Sequence, residues 1–256
     1  MENYLKVNYH THTYRCNHAF DTERDYIERA IQAGIKKLGF SDHVPCPFKD
    51  GYVSRIRMEM YEAEEYVSTI RKLKEEYKDR IELFVGFETE YIPEFYEEQM
   101  KMFQKLNCDY MIMGQHFLTN EKDGPYVGSV FYDEAFLKAY VNQVIEGMKT
   151  GSFLYLAHPD LVNFAGDLAI YQKEIFRLCK TLKELQIPLE FNLLGILAGK
   201  RYPRADFWKI AGEVQNDVIF GIDAHEAKQI GNRAIYQKGM EFVEKYQLHL
   251  IEDICI

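Results

Sequence analysis

Seven of the eight histidines in this chain stand at the end of a short apolar segment or just beyond it. The segments read NYHTHTYRCNH (His10, His12, His18), GFSDH (His43), MGQH (His116), LAHPD (His158) and GIDAHE (His225). His249, near the C-terminus, stands apart. Two carboxylates occupy matching places, with Glu88 closing LFVGFE and Asp223 closing VIFGID. Neutral imidazole and carboxylate together form a donor set for zinc, iron, manganese or cobalt, and no thiolate is needed.

The spacing sharpens this reading. His10 and His12 are two apart, and strand alternation puts both side chains on one face, where they can chelate one cation. The plain alternative is a pair of hydrogen-bonded polar residues at a strand end. His18 follows in a loop and can fold back over the rim. His43 comes directly after Asp42, which either orients an imidazole or caps the loop. Glu88 could cap the following helix, but a carboxylate can also bridge two cations. Glu90, two residues on, faces the same way; it could meet a cationic part of a substrate, with simple solvation the favoured alternative. His116 and His158 end two more segments, and Asp223 with His225 forms D-x-H on one face. A lone strand-end histidine is more often a satisfied core residue. The repetition is what favours a common metal site.

These residues need a scaffold that gathers strand ends. Strands are expected at Lys6–His10, Lys37–Ser41, Glu82–Glu88, Tyr110–Gln115, Phe153–Ala157, Pro188–Asn192 and Asp217–Asp223. All are short and apolar, as buried parallel strands are. Helices are expected between them: Asp21–Ala33, Met58–Asp79, Pro93–Leu106, Tyr132–Lys149, Tyr171–Leu185, Arg204–Val214 and Asn232–Tyr246. Alternation of this kind implies a parallel sheet with right-handed crossovers. Polar residues at the C-terminal edge of nearly every strand favour a barrel over an open sheet, which would collect its site at one switch point. The expectation is a distorted (β/α)7 barrel with the site at its C-terminal rim.

The 256 residues fit one barrel domain spanning 1–256. A net charge of −9 argues against non-specific binding to a nucleic-acid backbone. A small anionic substrate stays possible, because bound cations reverse the local field. Five cysteines without a C-x-x-C pair point to a reduced, cytoplasmic compartment. Cys16 and Cys46 lie near the histidine loops and are read as bystanders. No apolar run approaches membrane length, so a soluble protein is expected. The sequence does not give the oligomeric state.

The set of motifs resembles the polymerase-and-histidinol-phosphatase (PHP) family of metal-dependent phosphoesterases. The matching stretches are His10-Thr11-His12 with His18, Ser41-Asp42-His43, Gly86-Phe87-Glu88, GQHF with His116, His158-Pro159-Asp160, and Asp223-Ala224-His225. They span nearly the whole chain in the family's order. The resemblance implies a distorted (β/α)7 barrel with two or three divalent cations (zinc, iron or manganese). It implies one cation on His10, His12, Glu88 and Asp223, a second shared through Glu88 with His116 and His158, and a third on His18, His43 and His225. Chain length, GFETEYIP, GSFLYLAHPDL and the EFN…YP stretch from Glu190 to Pro203 resemble the histidinol-phosphatase branch. That likeness implies hydrolysis of L-histidinol phosphate, a step of histidine biosynthesis. After Asn192 the branch usually reads N-T-x-G-L-R, whereas this chain delays its basic residues to Lys200 and Arg201.

A phosphate monoester resists hydrolysis because its dianion repels nucleophiles and its alkoxide leaves poorly. In the family mechanism a metal-bridging hydroxide attacks phosphorus in line, and cations spread the charge that develops. The expected catalytic residues are therefore Glu88 and Asp223, with Asp223 or a water delivering the proton to the leaving oxygen. Arg201 or Lys200 would clamp the phosphate. Glu90 or Asp160 would give histidinol's amine and imidazole an acidic wall. The partner expected is a small phosphate ester, with no nucleic acid and no membrane. Two other readings are a PHP phosphoesterase for nucleotides or another small ester, and a non-catalytic metal-binding regulatory module.

Overall fold

The computed structural model describes residues 4–256. Its strands are β1 (Val7–Asn8), β2 (Lys37–His43), β3 (Glu82–Thr89), β4 (Tyr110–Met113), β5 (Leu189–Asn192), β6 (Asp217–Gly221) and β7 (His249–Leu250). Every strand pairing is parallel, in the orders β1-β2-β3-β4 and β5-β6-β7. The two sheets are joined at both edges. Between β4 and β5 runs the expected segment Phe153–Ala157, which lies extended and pairs on both sides. Leu154 N donates to Met111 O (2.8 Å), Ala157 N to Met113 O (2.8 Å), and Glu190 N to Leu156 O (2.8 Å).

The other seam closes the ring. Thr11 bridges Ala224 in parallel, His12 N donates to Ala224 O at 2.9 Å, and Asn8 Oδ1 accepts from Ile222 N at 2.8 Å. The result is the distorted (β/α)7 barrel expected, with β7 an added edge strand on β6. β1 is shorter than expected: past Asn8 the backbone keeps isolated pairings, with Ser41 N donating to Thr11 O (2.8 Å) and Thr11 bridging Ala224, while the Asn8 amide donates to His10 O (3.0 Å) and Thr11 Oγ1 (2.8 Å). His10 and His12 therefore lie just past the strand, at the seam.

Helices cover the outside: α1 (Glu23–Ala33), α2 (Ala63–Tyr77), α3 (Pro93–Leu106), α4 (Glu134–Met148), α5 (Leu168–Glu184), α6 (Leu193–Leu197), α7 (Ala205–Val214) and α8 (Arg233–Tyr246). α1 starts at a capping box between Thr22 and Asp25. Asp133, Asp167 and Asn232 cap α4, α5 and α8 with side-chain oxygens. α2 begins five residues later than expected, and the stretch before it joins the loops over the site. The short α6 was not foreseen; the Asn192 side chain caps it through Leu194 N. α2 buries Tyr66, Val67, Ile70, Leu73 and Tyr77, the single apolar stripe of a helix on a sheet.

A separate cluster of Tyr9, Phe84, Tyr110, Tyr155 and Ile219 comes from strands all round the ring. Side chains from strands so placed meet inside the barrel, so aromatic rings plug it and leave the chemistry to the rim. Within the sheet, His43 stands directly beside Glu88. Register and strand ends together bring the polar residues to one place.

Candidate metal centre

The histidines expected from sequence converge. His10 Nε2 and His12 Nε2 are 3.2 Å apart. Glu88 Oε2 lies 3.6 Å from the first and 3.4 Å from the second. Asp223 Oδ1 lies 3.4 Å and 3.1 Å from the same two nitrogens. Four tetrahedral donors at about 2.0–2.1 Å from a zinc-like cation stand roughly 3.3–3.4 Å apart. The observed separations match that cage. Glu88 Oε2 and Asp223 Oδ1 are also buried without a hydrogen-bond partner, as oxygens reserved for a cation would be. The donor set therefore fits a divalent metal.

Glu88 is turned so that its two oxygens serve different neighbours. Oε1 is 2.6 Å from His158 Nε2 and 3.5 Å from His116 Nε2. Oε2 faces His10 and His12, and also His43 Nδ1 at 2.9 Å. A second group of donors thus shares this carboxylate with the first. A third forms where His18 Nε2 and His225 Nε2 stand 3.0 Å apart, with His43 completing the cluster. His43 also groups with Glu88 and His116, and His158 with His10 and Asp223, so the three sets overlap more than expected.

Outer partners fix the imidazoles. His10 Nδ1 is 2.7 Å from Glu190 Oε1, and His116 Nδ1 is 3.0 Å from Glu90 Oε1. His225 Nδ1 meets Asp223 O at 3.0 Å, and His18 Nδ1 meets Cys16 O at 2.6 Å. Each contact places the proton on Nδ1 and leaves Nε2 free to bind a cation. Asp42 faces His12 Nδ1 at 3.5 Å and accepts from Thr13 N, so it belongs to His12 rather than to its neighbour His43.

Two ligand candidates adopt left-handed backbone conformations, His158 (φ 28°) and Asp223 (φ 54°). Aspartate tolerates this region, whereas a histidine there carries strain of about 1–3 kcal/mol, a feature concentrated at functional sites. Close approach also demands glycine. A Cβ on Gly114 would lie 1.8 Å from Glu88 Oε1, and one on Gly221 would lie 1.7 Å from Glu190 Oε1.

The electrostatics describe a cage for positive charge. Burial pulls His10 toward neutrality, but Glu190, Asp223 and Glu88 outweigh it and hold the imidazole well above its usual range. His158 is likewise raised against burial by Glu88. Burial dominates at His43, which is pushed well below the usual range, and lowers His225 to about 3 with help from His12. Burial opposes ionisation of Glu88 and Asp223, yet the surrounding imidazoles hold both far below ordinary carboxylates.

The cluster opens into a cavity of about 510 Å³. Ile56, Phe117, Tyr126, Leu194 and Tyr202 form apolar and aromatic walls, and Lys200 is the one lysine or arginine among the lining residues. Several expectations change here. Arg201 is exposed and does not line the cavity. Glu90 is neither solvated nor open to a substrate cation: it is 1% exposed, paired with Arg57 and His116. Asp160 is buried away from the cavity, accepting from Trp208 Nε1 at 2.7 Å. Among the described residues lining the cavity, Glu88 and Asp223 are the only acids. Cys46 packs with Ile92 and Phe95, as a bystander would. Cys16 is closer to the cluster than expected, its sulfur within 4.8 Å of His12 and His225 nitrogens.

Sequence reading missed Glu190, Asn192 and Arg57. Glu190 was visible as a carboxylate inside the apolar strand LEFN. Asn192 Nδ2 donates to Glu190 Oε2 (3.0 Å) and Asp223 Oδ2 (3.1 Å), tying two strand ends together.

The family profile described as PHP domain matches residues 8–193. The chain belongs to the PHP domain family. A probable histidinol-phosphatase of Deinococcus radiodurans is 27% identical to this PHP protein, covering 88% of each chain. A histidinol-phosphatase of Bacillus subtilis is also 27% identical, over 87% of this chain and 94% of its own. In fold, the PHP barrel is similar to histidinol phosphate phosphatase from Lactococcus lactis, solved with zinc, L-histidinol and phosphate. The TM-score is 0.73 at 18% identity, covering 96% of this chain and 95% of that one.

Proposed function

We propose that this PHP protein is a metal-dependent phosphomonoesterase that hydrolyses L-histidinol phosphate to L-histidinol and phosphate. The observation that carries the reading is Glu88, whose two oxygens face separate groups of imidazole nitrogens at the floor of one cavity. Near-complete coverage by two relatives named for this activity supports the choice of substrate. We read residues 1–256 as one catalytic unit working in the cytoplasm. No helix among the described residues is long and apolar enough to cross a membrane.

His10, His12, Glu88 and Asp223 would hold one cation, Glu88, His116 and His158 a second, and His18, His43 and His225 a third. Divalent metals in these places supply Lewis acidity toward phosphoryl oxygens and water. The protein's own groups do the rest. Lys200, at the cavity wall, neutralises a phosphate oxygen turned away from the cluster. Asn192 fixes Asp223 through Oδ2, leaving Oδ1 directed inward without a hydrogen bond. With Oδ1 given to the cation, Asp223 Oδ2 or a water carries the proton of the attacking water to the leaving alcohol oxygen. Phe117, Tyr126 and Tyr202 give a flat ring such as imidazole an aromatic surround. They also exclude bulk water.

A panel of phosphate esters, assayed with metal-replete protein and paired with elemental analysis, tests this. Histidinol phosphate should be the preferred substrate, and His12→Ala should abolish turnover. Preference for nucleotides would replace the substrate assigned. Phosphate release unchanged in His12→Ala would remove the cluster from catalysis.

A further inference from the structure

Arg57 is 1% exposed, yet it comes from the irregular segment between β2 and α2, which supplies none of the expected ligands. All three of its guanidinium nitrogens donate hydrogen bonds. Nη1 donates to Glu90 Oε2 (2.9 Å) and Val44 O (2.9 Å), Nη2 to Glu90 Oε1 (3.1 Å), and Nε to Glu121 Oε2 (2.5 Å). Glu90 Oε1 also meets His116 Nδ1 at 3.0 Å. The other ring nitrogen of His116 faces Glu88 Oε1 at 3.5 Å.

We propose that Arg57 is a positioning residue for the metal centre: by holding both oxygens of Glu90, it fixes His116 in its Nδ1–H form with Nε2 aimed at Glu88, and it keeps Glu90 from becoming a ligand itself. The inference rests on reading the cluster as a metal site. Glu88 and Glu90 lie two apart on β3 and its end, both buried beside His116. Two neighbouring carboxylates could each capture a cation, and the bridging role requires that only Glu88 do so. A planar guanidinium can occupy both oxygens of one carboxylate at once, and a lysine ammonium, being a point charge, cannot. The pairing sorts two similar carboxylates into two tasks. Arg57 also ties its own segment to three others, through Val44 O after β2, Glu90 after β3 and Glu121 in the loop after β4, and its neighbour Ile56 lines the cavity.

The test uses full-length protein with Arg57→Met and Arg57→Lys. In metal-free protein, nitrogen-15 NMR of the imidazoles should show one Nδ1–H tautomer for His116 in wild type and a mixture in both variants. Competition against a chelator should show zinc affinity falling about 100-fold in Arg57→Met and about tenfold in Arg57→Lys, with thermal unfolding confirming a folded chain. If Arg57→Met does not fold, Arg57→Lys decides alone. A wild-type tautomer and wild-type zinc affinity in Arg57→Lys would overturn the proposal. The tautomer reading needs neither metal nor substrate, so its failure is separable from failure of the assigned reaction.

Discussion

Glu190 Oε1 stands 2.7 Å from His10 Nδ1, and neither side chain touches solvent. The carboxylate also accepts from His158 N at 2.9 Å, so one group braces two strand ends that supply imidazoles. Glu190→Gln keeps the shape and removes the charge. Zinc affinity should fall about 10- to 100-fold, the usual cost of losing an outer carboxylate behind a metal-binding histidine. Chelator competition measures it. Unchanged affinity would mean that Glu190 serves the fold alone.

Protons and metals should compete for this site. His225, lowered to about 3, and His43, also lowered by burial, stay neutral in the folded chain at pH values just below about 6.5 where the unfolded chain protonates them, so stability of the metal-free protein rises with pH toward that value. Above about 6.5, His10 and His158 keep protons that the unfolded chain has lost, so stability falls as pH rises through their folded values. The melting temperature of metal-free protein should therefore peak near about pH 6.5. Metal binding should release protons and tighten with rising pH. Calorimetry in two buffers of different ionisation heat should give different apparent enthalpies, and identical heats would contradict this.

Gly114→Ala should yield a folded but crippled protein. The added Cβ meets the end of the Glu88 side chain, which can relieve the clash by swinging aside. The expected result is a near-normal melting temperature, at least one metal equivalent lost, and turnover down about 100-fold. Full metal content with full activity would show that the carboxylate tolerates the displacement.

Lys200 and Arg201 are adjacent, but only Lys200 lines the cavity. Lys200→Met should lower kcat/KM for a phosphate ester about tenfold, or about 1.4 kcal/mol, while Arg201→Met should change it less than twofold. The reverse ranking would return the phosphate clamp to the arginine.

The strands and the cluster were legible because each donor sits where an apolar run stops, and short apolar runs are what a buried parallel sheet requires. His10, His12, Glu88 and Asp223 carry that pattern in their spacing. Their outer partners do not. Glu190 hides inside a strand and Arg57 in an irregular segment, and only folding brings them to His10 and His116. Glu90 shows the limit most clearly. Its place two residues after Glu88 gave the correct side of the strand, but not the guanidinium that waits there. The choice between Arg201 and Lys200 was open for a related reason, since sequence orders the loop after α6 without saying which basic residue lines the cavity.

The bridge from Thr11 to Ala224 joins residues separated by almost the entire chain. During synthesis, His10 and His12 emerge early and must wait for Asp223 before their cage has its fourth wall. The cage is therefore complete only once the stretch after β6 has folded back onto the stretch after β1.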